Sequence, residues 1–204
     1  STPLISISPL SQASNDGSTK TYVLTIQNRD QNCSTPTVFN LSTGNVGGVT
    51  ANLSTQSLSV SSGTSGTFSV GVSSSASSGS FVIPVIASAN GRANLVVNAT
   101  YVLDPVAPSI PTNVAASLSK RNVRVSWNAS SDQGSGIEVY RIFRDGSLIA
   151  SVASLSFADS PGSGTFQYQV QARDRAGNLS MLSSPVSIST SGGGGGPGGG
   201  SKKR

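Results

Sequence analysis

The 204-residue chain holds few side chains able to move a proton, attack a bond or grip a metal. It has no histidine, which removes Ser-His-Asp and Cys-His nucleophile pairs, the usual zinc sites and the commonest general base. Glycoside hydrolysis would need two carboxylates roughly 5 to 10 Å apart. Asp and Glu together number only 8, and Glu138 is the sole glutamate. The aspartates mostly stand in turn contexts, as in Asn15-Asp16-Gly17, Asp145-Gly146 and Asp159-Ser160-Pro161-Gly162, where turn chemistry accounts for them. Asp132, in Ser130-Ser131-Asp132-Gln133-Gly134, offers a carboxylate among carbonyls, but a lone Asp does not supply the six to eight oxygens calcium takes. The glycine run near the C-terminus is followed by no helix, which a phosphate-binding loop needs between its strand and its helix. The expectation is a non-catalytic chain with no metal and no cofactor.

Binding chemistry is better represented. Sugar rings are read by exposed aromatics with a few polar groups beside them, and the chain has one Trp, four Tyr and six Phe. Strand parity turns nearly all of these inward. Phe143 is the exception: it falls on an outer face with Arg141, and the neighbouring strand presents Gln167, Gln169, Gln171 and Arg173 on the same side. These six residues are the candidate ligand-binding face, for a polysaccharide or a cell-surface protein held weakly. The competing reading is a solvated sheet face with one exposed ring, since single exposed apolar side chains are common.

The net charge of +5 suggests nucleic acid until it is divided along the chain. Residues 1–104 balance to zero, residues 105–190 carry seven basic and five acidic groups, and Lys202, Lys203 and Arg204 supply the rest. Phosphate tracking needs clustered cations on a folded surface, so no nucleic-acid partner is expected. The single cysteine, Cys33, cannot make an internal disulfide. The longest apolar stretch, Phe81-Val82-Ile83-Pro84-Val85-Ile86-Ala87, falls far short of the roughly 20 residues that span a bilayer, so no membrane segment is expected. The chain opens on Ser1-Thr2-Pro3-Leu4 with neither Met nor a hydrophobic leader, as a processed product or a fragment would.

Positioning any of these groups requires strands. Apolar residues alternate with polar ones at Tyr22, Leu24 and Ile26, at Phe68, Val70 and Val72, and at Leu95, Val97, Ala99 and Tyr101. Clusters of Gly, Ser, Asn and Asp break the pattern every 8 to 12 residues or so, as in all-β sandwiches. Three prolines within Pro105 to Pro111 remove ladder donors and mark a connection. The fold expected is all-β: two tandem immunoglobulin-like β-sandwiches followed by a disordered Gly-rich tail. The first sandwich spans 1–103, a Pro-rich linker 104–111, the second sandwich 112–190 and the flexible basic tail 191–204.

Within the second region, Val123-Arg124-Val125-Ser126-Trp127, Ile137-Glu138-Val139-Tyr140-Arg141-Ile142-Phe143-Arg144-Asp145-Gly146, Thr165-Phe166-Gln167-Tyr168-Gln169-Val170-Gln171-Ala172 and Asp174-Arg175-Ala176-Gly177-Asn178-Leu179-Ser180 resemble the bacterial fibronectin type III domain over about 108–190. The resemblance implies that Trp127 packs on Tyr140. It also implies a tyrosine four residues before Val170, where this chain has Phe166, so the ring should stay buried without its corner hydrogen bond. The first region, with Ile5-Ser6-Ile7-Ser8-Pro9-Leu10, Thr21 to Asn28, Asn32-Cys33-Ser34 and Ser61 to Val70, resembles the immunoglobulin-like sandwiches appended to secreted bacterial glycosidases and metalloproteases. What the two resemblances imply is a monomeric accessory segment of a secreted bacterial modular hydrolase, acting as a spacer or weak attachment unit. The alternative is a fragment of a surface adhesin binding glycan or protein.

Overall fold

The computed structural model describes residues 2–31, 34–119 and 122–191. Asn32, Cys33 and the tail from Gly192 onward lie outside the described residues, and with them the expectations for Cys33 and for the Gly-rich spacer. Sixteen strands and no helix make up the described residues, so none contains a helix able to cross a membrane. Two compact units emerge. Among the described residues, the first comprises those of 1–107 together with 132–136 and 174–178; the second comprises those of 108–131, 137–173 and 179–191.

In the first unit, β1 (Leu4–Ser8), β3 (Lys20–Gln27), β7 (Ser65–Ser74) and β5 (Val49–Leu53) form one sheet in the order β1-β3-β7-β5. β2 (Ser11–Ser14), β9 (Leu95–Leu103), β8 (Gly79–Ser88), β4 (Thr37–Thr43) and β6 (Ser57–Val60) form the other, in the order β2-β9-β8-β4-β6. The chain leaves the first sheet after β1 and joins the second by pairing β2 parallel to β9; every other pairing in the unit is antiparallel. Period-two alternation does the rest. Tyr22, Leu24 and Ile26 from β3 and Val70 and Val72 from β7 are fully buried with Ile83, Val85, Ala99 and Tyr101 from the opposing sheet. The polar ends of two core rings are satisfied on backbone carbonyls, Tyr22 Oη on Thr100 O at 2.5 Å and Tyr101 Oη on Ser18 O at 2.9 Å.

The second unit sets a three-stranded sheet, β10 (Thr112–Ser119), β11 (Asn122–Asn128) and β14 (Ser156–Asp159), against a four-stranded one. The latter contains β13 (Ser147–Val152), β12 (Ile137–Arg144), β15 (Gly164–Asp174) and β16 (Val186–Thr190) in the order β13-β12-β15-β16. Its core joins Val123, Val125 and Trp127 to Tyr140, Ile142, Tyr168, Val170 and Ala172. The rings of Trp127 and Tyr140 stand 5.5 Å apart, tilted by 59°, within the range aromatic pairs favour. β12 and β13 are joined by Asp145-Gly146 with φ of 50° and 78°, the two positive values of a tight hairpin turn, and glycine accepts the second without strain.

Phe166 keeps its ring partly buried against the second core, with the Arg144 guanidinium carbon 5.8 Å from its centroid. The tether that a corner hydroxyl would have supplied is made elsewhere: Tyr168 Oη donates to Asp159 Oδ2 at 2.6 Å, and Arg144 Nη1 donates to the same oxygen at 2.6 Å. Asp159 thus does more than shape a turn. It links the ends of β12 and β14 to the middle of β15.

Candidate functional site

β12 and β15 are neighbours in the four-stranded sheet. Their alternation buries Tyr140, Ile142, Tyr168, Val170 and Ala172 and turns Arg141, Phe143, Gln167, Gln169, Gln171 and Arg173 to the other side. The structure therefore gathers all six on one face. What they do there is largely internal. Arg141 Nη1 donates to Gln171 Oε1 at 2.8 Å, and the Arg141 guanidinium carbon lies 5.3 Å from the centre of the Phe143 ring. Phe143 is consequently half-buried rather than an open platform.

The amides are engaged in the same way. Gln169 Nε2 donates to Ser183 O at 2.9 Å and Gln171 Nε2 to Ser180 O at 2.8 Å, stitching the segment after β15 back onto the sheet. Ser180 and Ser183 hydroxyls complete this by accepting from Ala172 N and Val170 N. Arg173 Nη1 lies 3.5 Å from Glu138 Oε2, with both side chains close to half exposed. Gln167 is the exposed amide of the set. A ligand on this face would find one arginine-capped ring, an exposed glutamine and a solvated ion pair.

The other gathering of chemically capable groups lies in the first unit and was not expected. Asp104 follows β9, Asp132 lies in the 132–136 segment and Asp174 ends β15, and one carboxylate oxygen from each lies within 4.8 Å of the others. Asp104 and Asp174 are buried, Asp132 less so. Asp132 is therefore not alone, as its sequence context had suggested. Each carboxylate is placed by backbone amides. Asp104 Oδ1 accepts from Val106 N at 3.1 Å and its Oδ2 from Ser135 N at 2.6 Å. Asp132 Oδ2 accepts from Gly136 N at 2.6 Å. Asp174 Oδ1 caps the following turn by accepting from Gly177 N and Asn178 N, and its Oδ2 accepts from Asn178 Nδ2 at 2.7 Å.

Asn178 Nδ2 also donates to Asp104 O and Val106 O, tying 104–106 to the 174–178 turn. Gly134 is required by close approach: a Cβ there would fall 2.2 Å from the Asp104 Cγ. Sequence reasoning had Asp132 and the Asp174 to Asn178 turn in hand. It lacked the fold that closes the distance between them, and nothing in local spacing pairs either with Asp104.

No family model matches the chain. It is similar to exoglucanase B of Cellulomonas fimi, 36% identical over 91 residues that make up 43% of this chain and 8% of that protein. A chitinase, Chi52, of Paenibacillus xylanexedens is 35% identical over 91 residues, 43% of this chain and 17% of that protein. The chain thus spans only a small part of the curated relatives it matches. Among solved structures, the fibronectin(III)-like modules of Clostridium thermocellum CbhA cover 92% of this chain and 94% of theirs at 15% identity and a TM-score of 0.43. By its three-plus-four strand order and its Trp127–Tyr140 core, the second unit is a fibronectin type III-like sandwich, preceded in this chain by an immunoglobulin-like one.

Proposed function

We propose that the chain is a non-catalytic accessory segment of a secreted bacterial modular hydrolase, serving chiefly as a spacer. The observation that carries this reading is the set of relatives. A stretch 33–36% identical recurs in an exoglucanase, an endoglucanase, a chitinase and an alpha-amylase, of which it occupies 8–17%. A segment common to enzymes named for different substrates is not the part that distinguishes their reactions. The chemistry agrees: there is no histidine to act as a base, and the only glutamate, Glu138, is spent on Arg173 at the surface. The matched relatives' fragmentary overlap also supports reading the chain as two sandwich modules within a larger protein.

The sheet face of β12 and β15 sets the limit on attachment. With Arg141, Gln169 and Gln171 already hydrogen-bonded within the chain, binding must either displace those bonds or rest on the Phe143 edge, Gln167 and the Arg173–Glu138 pair. Such a face supports a Kd in the high micromolar range, roughly 10⁻⁴ M or poorer. Tethering to a catalytic domain would still raise local concentration. The test is co-sedimentation of the full chain, and of Phe143→Ala, with insoluble cellulose and chitin, with reducing-sugar release measured in the same tubes. Spacer function predicts no sugar release and no retention that Phe143→Ala abolishes. Sugar release by the purified chain would overturn the reading outright; retention lost in Phe143→Ala would promote the face from surface to attachment site.

A further inference from the structure

We infer that Asp104, Asp132 and Asp174 form a calcium site. The inference begins with an electrostatic conflict. Three carboxylates place an oxygen each within 4.8 Å of one another, and two of the three are buried. Like charges crowded into a region of reduced dielectric are strongly unfavourable unless an opposite charge accompanies them. Among the described residues no cation forms an ion pair with any of the three. The ion pairs present join Arg92 to Asp30, Arg144 to Asp159 and Arg173 to Glu138. Arg175, adjacent in sequence to Asp174, directs its Nη1 to the Ser135 carbonyl oxygen at 3.2 Å instead.

A second observation points to what is missing from the charge balance. Amide hydrogens satisfy both oxygens of Asp104 and both of Asp174, and one oxygen of Asp132. Asp132 Oδ1 is buried and has no hydrogen-bond partner at all. A buried acceptor left unpaired is costly, and a carboxylate oxygen more so. A cation lying among the three carboxylates resolves both difficulties together: it neutralises the cluster and ligates the orphan oxygen.

The donor set selects the ion. Every available ligand is a hard oxygen, with no imidazole or thiolate, which disfavours zinc and the later transition metals. Oxygens bound to one ion at 2.3–2.6 Å lie at most about 5 Å apart, a limit the 4.8 Å cluster meets. Three carboxylates, mono- or bidentate, with water completing the shell, suit the flexible six- to eight-fold coordination of calcium. Magnesium demands near-ideal octahedral geometry at shorter distances and gives up its water reluctantly. The amide clamps already described hold the carboxylates in place, and Gly134 leaves room for Asp104 to approach.

The experiment is a titration of the full chain with calcium chloride by calorimetry, and thermal unfolding with and without 10 mM calcium, beside magnesium and chelator controls. Wild-type chain is expected to bind one calcium with a Kd of about 10⁻³ M or tighter. Its Tm should rise by about 5 °C or more at 10 mM calcium, reverse with chelator, and rise much less with magnesium. Asp132→Asn retains an oxygen for the Gly136 amide, so it should fold, lose affinity at least tenfold and lose the calcium-dependent Tm rise. Asp174→Asn serves as the second variant with the same expectation. Absence of any heat or Tm shift up to 10 mM calcium in the wild type would overturn the assignment. So would a calcium response of equal size in folded Asp132→Asn and Asp174→Asn.

Discussion

Replacing Trp127 by alanine tests the construction of the second core more directly than any other change. The side chain is 4% exposed, and truncating a buried aromatic to alanine costs about 3 to 5 kcal/mol. Its tilted pair with Tyr140 belongs to that loss. One feature works against it: the indole Nε1 is buried without a hydrogen-bond partner, and removing an unpaired buried donor recovers about 1 to 3 kcal/mol. The net expectation centres on about 2 kcal/mol. With a urea slope of about 2 kcal/mol per molar for a domain of this size, the second-unit midpoint should fall by about 1 M in circular dichroism. Trp127→Phe separates the two contributions. It keeps a ring against Tyr140, removes the orphan donor and leaves a smaller cavity than alanine does, so it should cost less than Trp127→Ala. A Trp127→Ala midpoint that barely moves would refute the anchoring role. A Trp127→Phe loss as large as that of Trp127→Ala would refute the reasoning about the unpaired indole.

Further outcomes follow from single groups. Tyr140→Phe removes the acceptor of the buried Ser130 amide, now bonded at 2.9 Å, and should cost about 1 to 3 kcal/mol in urea unfolding followed by the emission of the only tryptophan; a change below about 0.5 kcal/mol would mean that water replaces the phenol there. Burial pushes Asp159 up, but hydrogen bonds from Tyr168 and Arg144 outweigh it and leave the carboxyl below its ordinary value. The folded state therefore binds the proton less readily than the unfolded chain. Stability contributed by Asp159 is complete above the unfolded carboxylate range and disappears as pH falls through the lowered value. The tryptophan-monitored midpoint should drop as pH falls below about 4, and Asp159→Asn should flatten that drop; an unchanged acid profile in the variant would remove Asp159 from the account. Burial pushes the Tyr22 phenol up to about 12, so the unfolded state ionises first, and the first unit should lose stability as pH rises from about 10 toward 12. Tyr22→Phe should lessen that alkaline loss, measured by circular dichroism, and an identical alkaline profile in the variant would contradict it.

How much of this was legible in the sequence depends on the range over which each feature is specified. Alternation is local, so β3, β7, β9, β12 and β15 could be read from their residues, and with them the inward rows that the structure buries. The Asp145-Gly146 hairpin was equally legible, because two adjacent residues tolerant of positive φ carry the turn without help. Parity also put Arg141, Phe143, Gln167, Gln169, Gln171 and Arg173 on one side of the sheet. It could not tell whether that side was available: the segment that returns through Ser180 and Ser183 occupies Gln169 and Gln171, and no local pattern announces where a returning segment will land. Phe166 keeps the inward parity of β15, but the guanidinium that lies over its ring comes from Arg144 on another strand, which alternation does not announce.

The aspartate cluster lies furthest beyond local reading, and for a definite physical reason. Each of its members has a complete local explanation: Asp174 caps the turn to Asn178, Asp132 accepts from Gly136, and Asp104 accepts from Val106 two residues on. Short-range amide bonds of this kind are what aspartate does in turns generally, so each residue taken singly is accounted for. Only tertiary structure adds the fact that makes the set anomalous, which is that the three locally satisfied turns converge and leave one carboxylate oxygen buried without a partner. The information that separates a turn aspartate from a metal ligand is thus carried by charge balance in space. That balance can be drawn up only after Asn178 has tied 104–106 to the 174–178 turn and Ser135 has donated its amide to Asp104.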